Sequence, residues 1–483
     1  MNSAANRSTP LVDSWLWAST FGETLAAGFD PQGVGRVHRE ARLASLLQAA
    51  SRSPLYRQRL QSLPSGSADL RAIEPVSKTE LMARFDDWAT DRAVTRRAVE
   101  QFLKGTEHLG EAFLGRYLVW TSSGTTGAPG VFVQDAPSLA AYEALDALRL
   151  RGPGPGSMPL PAWGAGQRFA FVAATGGHFA GVATIERLRR LTANATSLSP
   201  IGWLSPEVQT FSVLTPLREL ARALQAYAPT VLITYPSCAA ALAQLQLDTT
   251  LRLQPHEVWL GGEQLSDGQR ALMHAAFACP LRNNYGASEF FSIACECRCG
   301  HLHLNDDWVI IEPVDRQLRP VPVGVASHAV LLTNLATPVQ PLLRYRLDDA
   351  IRFTGQRCAC GCSFPVIEVQ GRSAHTLVLH DARDRAVTIT PLAVETAIEQ
   401  DGGVTQFQLL CTTPDCLELR FESEAGDAAA AYERARKALA AYLATQGLGN
   451  VRIVHGRRAP LRERASGKLC RVQLVPSQNH VDS

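Results

Sequence analysis

Apolar and polar positions change rhythm along the chain, and each change predicts a different kind of structure. Over residues 1–110 apolar positions recur three and four apart among charged ones, most plainly at 39–50 and 80–90, which predicts helices. Ser77-Lys-Thr-Glu80 sets a hydroxyl three residues before a carboxylate, the capping box that opens a helix. Residues 151–166, RGPGPGSMPLPAWGAG, are dense in Gly and Pro and predict a loop. Their alternating glycines follow a helix-like run and are interrupted by prolines, so they do not form a dinucleotide fingerprint.

From about residue 228 short apolar blocks alternate with helical ones. Residues 230–234 and 256–260 read as buried strands and 237–247 as a helix. Ser266 caps a further helix, with Gln269 reaching back, and another short strand leads into Asn284-Tyr285. Strand and helix alternating at this spacing predict a parallel sheet covered by helices. Ligands on such sheets sit beyond the carboxyl ends of the strands. Gly261-Gly262-Glu263 and Tyr285-Gly-Ala-Ser-Glu289 are predicted to fall at those ends. After residue 371 the pattern shifts again. Residues 407–411 and 416–421 flank Thr412-Thr-Pro-Asp415 as a hairpin, 427–442 form an Ala-rich helix, and 451–454 form a strand. The predicted fold is α/β. A large N-terminal domain (1–371) holds parallel-sheet subdomains covered by helices, and a hinge joins it to a small α+β C-terminal domain (372–483).

Composition narrows the function. A chain of 483 residues exceeds one ordinary core, in line with more than one domain. At 46% hydrophobic and 19% charged it is a globular protein. A net charge of +2 gives no electrostatic case for nucleic acid or an anionic membrane. The opening MNSAANRSTP lacks the apolar core of a secretion signal, and no apolar run reaches the ~18 residues of a membrane span. The expectation is a cytoplasmic protein with no nucleic-acid partner and no membrane span. Oligomeric state is left open. Six of the eleven cysteines fall in two clusters, Cys295-Glu-Cys297-Arg-Cys299 and Cys358-Ala-Cys360-Gly-Cys362, with His301 and His303 close behind the first. In a reducing compartment such clusters point to metal, and tetrahedral zinc takes four nitrogen or sulfur ligands of these eight.

Residues 121–130 read TSSGTTGAPG, five hydroxyls and three glycines behind the apolar run 117–120. No Lys follows at the Walker position, but such a loop after a strand can present N–H groups and hydroxyls to phosphate. Pro341-Leu-Leu-Arg-Tyr-Arg-Leu-Asp-Asp349 ends an apolar strand on two acids, and Ala465-Ser-Gly-Lys-Leu-Cys-Arg-Val472 holds one Lys in a short loop. Each segment alone reads as well as a solvated turn or a surface salt bridge.

In this order, with Gly371-Arg372 between the last two, the segments resemble the adenylate-forming superfamily of acyl-activating enzymes, and within it the phenylacetate–coenzyme A ligase branch. The resemblance runs from about residue 40 to 475. It implies that Ser122, Ser123, Gly124, Thr125, Thr126 and Gly127 wrap the ATP phosphates. Gly261, Gly262 and Glu263 would line the adenine pocket, with Tyr285 stacked on the base. Ser288 would touch the α-phosphate, Glu289 would hold Mg²⁺, and Asp349 would bind the ribose hydroxyls. Arg372 would sit at the hinge, and Lys468 would swing in with the small domain onto carboxylate and α-phosphate. Among the clustered Cys and His residues it singles out Cys297, His303, Cys358 and Cys360 for one structural Zn²⁺, leaving Cys295, Cys299, His301 and Cys362 as alternates. His178, Phe179, Tyr235, Ala287 and Phe290 are the expected walls of an acid pocket between 173–180 and Tyr285–Glu289.

The implied reaction is ATP-dependent activation of a small aryl acid to an acyl-adenylate. Transfer follows to a thiol, either coenzyme A or the phosphopantetheine of a separate acyl carrier protein. The chain departs from the pattern at Ala128, where a Lys is usual, at Leu347-Asp348 for Thr-Gly, and at Ala374 for the hinge carboxylate. Those losses motivate one rival, a nucleotide-binding protein with a degenerate site. The cysteine clusters motivate another, a zinc-dependent nucleic-acid binder, which the near-neutral charge disfavours. Lys468→Ala is expected to lose adenylation far more than ATP binding. Pyrophosphate exchange set against calorimetry checks this, and equal weakening of both would remove the role from Lys468.

Overall fold

A computed structural model describes residues 13–61, 70–122, 129–150, 167–194, 206–370, 377–404, 407–421, 428–460 and 471–474. The loop predicted at 151–166, the phosphate-loop residues 123–128, the hinge 371–375 and Lys468 lie outside the described residues.

The N-terminal third is helical, as its spacing predicts: α1 (Ser14–Phe29), α2 (Arg36–Ala50), α3 (Pro54–Gln61), α4 (Lys78–Ala83), α5 (Phe85–Trp88) and α6 (Arg96–Phe102). Polar caps open several of them. Asp13, Ser77 and Thr95 each accept a backbone N–H of the first turn. The single helix expected over 80–90 is instead two short ones. Arg84 leaves helical geometry at φ −114°, ψ 34°, and the chain turns there so that Leu81, Phe85 and Trp88 all reach the core.

The strands that follow are β1 (Leu118–Thr121), β2 (Val131–Gln134), β3 (Arg168–Ala173), β4 (Glu207–Ser212), β5 (Val231–Thr234), β6 (Glu257–Gly261), β7 (Leu281–Ala287), β8 (Phe290–Glu296) and β9 (Leu302–Leu304). Then come β10 (Val309–Val314), β11 (Ala329–Asn334), β12 (Leu342–Leu347), β13 (Ala350–Phe353) and β14 (Val366–Gln370). One nine-stranded sheet runs in the order β13-β14-β9-β8-β7-β6-β5-β3-β4. From β4 to β7 its pairs are parallel, as expected. From β7 to β13 they are antiparallel, which the sequence did not predict. The reason is the connection: only Ser288 and Glu289 separate β7 from β8, and two residues can close a hairpin but not a crossover. Tyr285 to Ala287, expected as a strand-end loop, are therefore the last residues of β7 itself.

Helices α7 (Ala136–Leu145), α8 (Ala180–Asn194), α9 (Leu217–Tyr227), α10 (Pro236–Leu247) and α11 (Asp267–Phe277) belong to the same region. The capping box at Ser266 is present in full. A second sheet, β10-β11-β12, is antiparallel. Only Asp348 and Asp349 connect β12 to β13, so the chain changes sheets at those two acids. The C-terminal part holds the ribbon β15 (Leu377–His380)–β16 (Ala386–Ile389) and a four-stranded sheet of β17 (Gln408–Thr413), β18 (Cys416–Arg420), β19 (Arg452–His455) and β20 (Val472–Leu474). Helices α12 (Pro391–Gln400) and α13 (Ala428–Thr445) complete it.

Two large cores result. The first gathers α2–α6, β1, β2 and β10–β12 around Trp88, Trp120 and Phe290. The second joins β3, β5 and β6 and the helices on them to the C-terminal unit. Gln446 Nε2 donates to the Leu214 carbonyl at 2.9 Å across that junction. Among the described residues no helix is long and apolar enough to cross a membrane.

The β7–β8 hairpin depends on one glycine. Its register slips between Tyr285 and Ala287, and a Cβ on Gly286 would overlap the Phe291 carbonyl oxygen. Asn284 Nδ2 already donates to that oxygen at 3.2 Å. Gly286→Ala is expected to cost about 2 kcal/mol of stability, read as an earlier midpoint in urea unfolding. An unchanged midpoint would show that the hairpin can relax.

Candidate active site

The crevice beyond the carboxyl ends of β5, β6 and β7 is where the sequence places its ligand segments, and the structure brings several of them together there. Ser122 and Gly130 are held together by two hydrogen bonds. Ser122 N–H donates to the Gly130 carbonyl and Gly130 N–H donates back to Ser122 Oγ, both at 2.8 Å. Just before it, Thr121 N–H donates to the His178 carbonyl at 2.7 Å, tying β1 to the middle loop.

At the end of β6, Gly262 takes φ +79° and lies against the ring of Tyr235, so a side chain here would be strained and would meet that ring. The Glu263 carboxylate is occupied: it accepts from Ser237 N–H at 2.8 Å and Ser237 Oγ–H at 2.9 Å. It thus caps α10 from a distant loop, where Tyr235, the local cap residue, supplies no side-chain bond. Burial pushes the Glu263 carboxyl up, and the two Ser237 donors pull against it.

The expected pocket walls divide. His178 is buried, and its Nε2–H donates to the Gly105 carbonyl at 2.9 Å. Burial lowers its pKa, so it is a neutral ring satisfied by backbone. Phe290 is fully buried in the first core, its ring edge-on to Tyr142 at 5.3 Å. Strand alternation puts Phe290 and its neighbour Phe291 on opposite faces of β8, and only Phe291 is partly exposed. Ala287 and Phe179 are partly buried. Tyr235 is hydrogen-bonded to the Ala174 backbone, and burial pushes its phenol up to about 12.

The most organised part joins the β7–β8 hairpin to the β12–β13 corner. Tyr285 donates its phenol to Asp349 Oδ2 at 2.9 Å, and Tyr345 donates its phenol to Glu289 Oε1 at 2.7 Å. Each segment lends a tyrosine to the other's carboxylate. Backbone carbonyls at the hairpin turn are also held: Trp120 Nε1–H donates to Ser288 O, and Asn334 Nδ2–H donates to Glu289 O, both at 2.8 Å. Burial pushes the Glu289 carboxyl up, while the Tyr345 bond and the nearby Lys78 ammonium favour its charged form.

Lys78 is the cation that sequence reasoning missed. Ser77 and Glu80 signalled a helix start, and Lys78 was part of that signal only. In the folded chain Val76 pairs beside Tyr345, with Arg346 N–H donating to the Val76 carbonyl at 2.9 Å. This delivers Lys78, the first residue of α4, to a group of charges that includes Glu289, Asp348, Arg471 and Glu399. Burial lowers the Lys78 pKa and Arg471 adds to that, while the three carboxylates oppose it. Arg471, three residues after Lys468, is buried and ion-paired with Glu399 of α12.

No family model matches the chain. A solved structure of 2-hydroxyisobutyryl-CoA ligase, in complex with 2-HIB-AMP and CoA, superimposes with a TM-score of 0.53 at 20% identity, over 98% of this chain and 94% of that one. The chain shares the fold of that ligase. A curated relative, Protein CapK of Staphylococcus aureus, is 25% identical over 142 residues. That match spans 29% of this chain and 30% of the relative's length.

Within this ligase fold a second constellation stands apart from the crevice. Ligand atoms of Cys297, His303, Cys358 and Cys360 all lie within 4.8 Å of one another. Cys297 Sγ is 3.6 Å from Cys358 Sγ, and Cys360 Sγ is 3.4 Å from His303 Nε2. His303 Nδ1–H donates to the Phe364 carbonyl at 2.9 Å, which leaves Nε2 unprotonated in the neutral ring and facing Cys360 Sγ. Backbone N–H groups of Cys299, Cys360 and Cys362 point at the sulfurs of Cys297, Cys358 and Cys360. Burial opposes a thiolate at Cys297, but His303, the backbone of His301 and Cys299, and Cys358 outweigh it and bring the thiol down to about 6. Of the alternates, Cys295 is buried with its sulfur beside Ser292 and Asn305, and Cys299 is exposed. His301 Nδ1 lies 3.4 Å from Cys358 Sγ.

Proposed function

We propose that this protein is an AMP-forming acid–thiol ligase that activates a small aryl carboxylic acid and passes the acyl group to a thiol. The carrying observation is the cross-braced pair of carboxylates, Glu289 and Asp349, with Lys78 near Glu289, at the strand ends of this fold. In the first step a carboxylate oxygen of the acid bonds to the α-phosphorus of ATP, and the bond to pyrophosphate breaks. Two anions meet in that step, so rate depends on fixed positive charge and hydrogen-bond donors already in place. Glu289 is the residue that would hold Mg²⁺, whose chemistry is charge neutralisation on the phosphates. Asp349 binds the ribose hydroxyls, Tyr285 lies under the base, and residues 122–127 hold the phosphates. Lys78 supplies cationic charge to a site whose loop carries Ala128 in place of lysine. The C-terminal unit from residue 372 is the mobile part that brings Lys468 to the reacting groups, with Arg372 at its hinge.

In the second step the sulfur of coenzyme A, or of a carrier phosphopantetheine, bonds to the acyl carbon. AMP leaves, and the thiol proton passes to solvent or AMP. Apolar walls with few free polar groups (Phe179, Ala287 and the tied Tyr235) suit an aryl acid, since His178 is consumed by backbone. ATP-dependent exchange of labelled pyrophosphate across a panel of aryl, short aliphatic and hydroxy acids tests this reading. Exchange strongest with aryl acids is expected, a preference for hydroxy or aliphatic acids would overturn the substrate class, and no exchange with any acid would overturn the ligase.

The cysteine cluster fits one tetrahedral Zn²⁺. Corners of a zinc tetrahedron with sulfur at ~2.3 Å and nitrogen at ~2.0 Å lie roughly 3.5–3.8 Å apart, close to the separations found. Cys297, His303, Cys358 and Cys360 would hold it, and four protein ligands leave no open position, so the site is structural. Metal analysis of protein purified without added zinc is expected to give about one zinc per chain, lost in Cys358→Ser. A ratio near zero in the parent would remove the site.

A further inference from the structure

Tyr345 is buried, fixed in its backbone, and donates the one bond the structure gives its hydroxyl to Glu289. Its ring is 2% exposed. A phenol so placed needs a hydrogen-bond partner, and here that partner is a carboxylate itself only 7% exposed. An ordinary phenol is protonated at neutral pH, so the hydroxyl is a donor here.

The strand carrying Tyr345 is clamped on both sides. Leu332 of β11 pairs opposite it, and on the other edge Val76 bonds the backbone of its two neighbours: Val76 N–H donates to the Arg344 carbonyl at 3.2 Å, and Arg346 N–H donates to the Val76 carbonyl at 2.9 Å. Arg344 is itself locked. Its φ is +51°, its N–H donates to Thr333 Oγ1 at 3.0 Å, and its guanidinium donates to Glu312 and to the carbonyls of Arg71 and Ile73. The hydroxyl of Tyr345 therefore comes from a rigid point.

We propose that Tyr345 is the positioning residue of the metal-holding carboxylate. Its hydroxyl occupies Oε1 and holds Glu289 in one orientation, so that the remaining oxygen lone pairs meet a metal–nucleotide complex already aligned. This rests on the ligase reading above and adds a residue to it. Tyr285, which makes the corresponding bond to Asp349, serves the ribose side and not the metal. The two bonds are thus separable in function although they brace the same pair of segments.

Tyr345→Phe removes one oxygen and keeps the ring. A hydrogen bond to a charged group that orders it carries about a tenfold effect or more. Mn²⁺ affinity in the presence of ATP, read from the electron paramagnetic resonance signal of free Mn²⁺, is expected to weaken about tenfold. The Mg²⁺ concentration giving half-maximal exchange should rise by the same factor, with exchange at saturating Mg²⁺ reduced less than about threefold. Tyr285→Phe should leave Mn²⁺ affinity at the parent value and instead narrow the preference for ATP over 2′-deoxy-ATP. Unchanged Mn²⁺ affinity in Tyr345→Phe, or equal loss in both variants, would overturn the proposal and reduce the tyrosines to packing. If Tyr345→Phe does not fold, Glu289→Asp carries the test, because a carboxylate one methylene shorter loses the Tyr345 bond. It must weaken Mn²⁺ binding, and parent affinity would overturn the proposal. The Mn²⁺ measurement needs only ATP binding, so failure of the ligase reading, seen as absent exchange, is told apart from failure of this one.

Discussion

Two tyrosine–carboxylate bonds, exchanged between the β7–β8 hairpin and the β12–β13 corner, organise this molecule around its crevice. The hairpin offers Tyr285 and Glu289, and the corner offers Tyr345 and Asp349. Neither segment could hold its own carboxylate so well. Glu289 sits in a two-residue turn and Asp349 in a two-residue change of sheet, and side chains at such places have few local partners. Pairing each with a phenol from the other segment gives partners to two buried groups, Tyr345 and Glu289, and two half-buried ones, Tyr285 and Asp349. Such groups are costly when unpaired, so the arrangement also fixes how far apart the two segments sit.

Around that brace the charges are set by burial. Glu289 is pushed toward its neutral form by desolvation and drawn back by Tyr345 and Lys78. Lys78 is pushed toward neutrality by the same burial and drawn back by Glu289, Asp348 and Glu399. A phosphate-bearing ligand and its cation would enter a site whose groups already balance one another, which keeps the reorganisation on binding small. Glu263 shows the opposite use of a buried acid. Each of its oxygens accepts from Ser237, so it stabilises the start of α10.

The cysteine–histidine cluster is mechanically linked to the N-terminal helices. The carbonyl of Phe364 orients His303, and its ring carries the guanidinium of Arg149 at 4.2 Å. Arg149 pairs with the buried Asp307 at 3.0 Å, and Arg42 of α2 lies over Trp308 at 3.4 Å. Trp308 in turn donates to Thr24 of α1. A chain of charge and aromatic contacts therefore runs from the cluster to the first two helices, and a metal held there would stiffen their attachment.

Much of this was legible in the sequence because it is local. Strand and helix types followed from apolar spacing, and helix starts followed from Ser77, Ser266 and their partners. The four residues Cys297, His303, Cys358 and Cys360 were singled out by resemblance and do converge. Other features depended on which segments meet after folding. The sequence predicted one helix over 80–90, a loop at Tyr285 and pocket roles for His178 and Phe290. Packing broke the first at Arg84, drew the second into β7, and consumed the side chains of the others on Gly105 and the first core. Lys78 lies more than two hundred residues from Glu289, and nothing in its neighbourhood announces that Val76 will pair beside Tyr345. By itself the sequence determined the order of the elements, their types and the inventory of reactive groups, since propensity and periodicity act over a few residues. Only the tertiary structure decided which tyrosine holds which carboxylate and which cation faces them, because those partners are chosen by strand adjacency and burial across the whole chain.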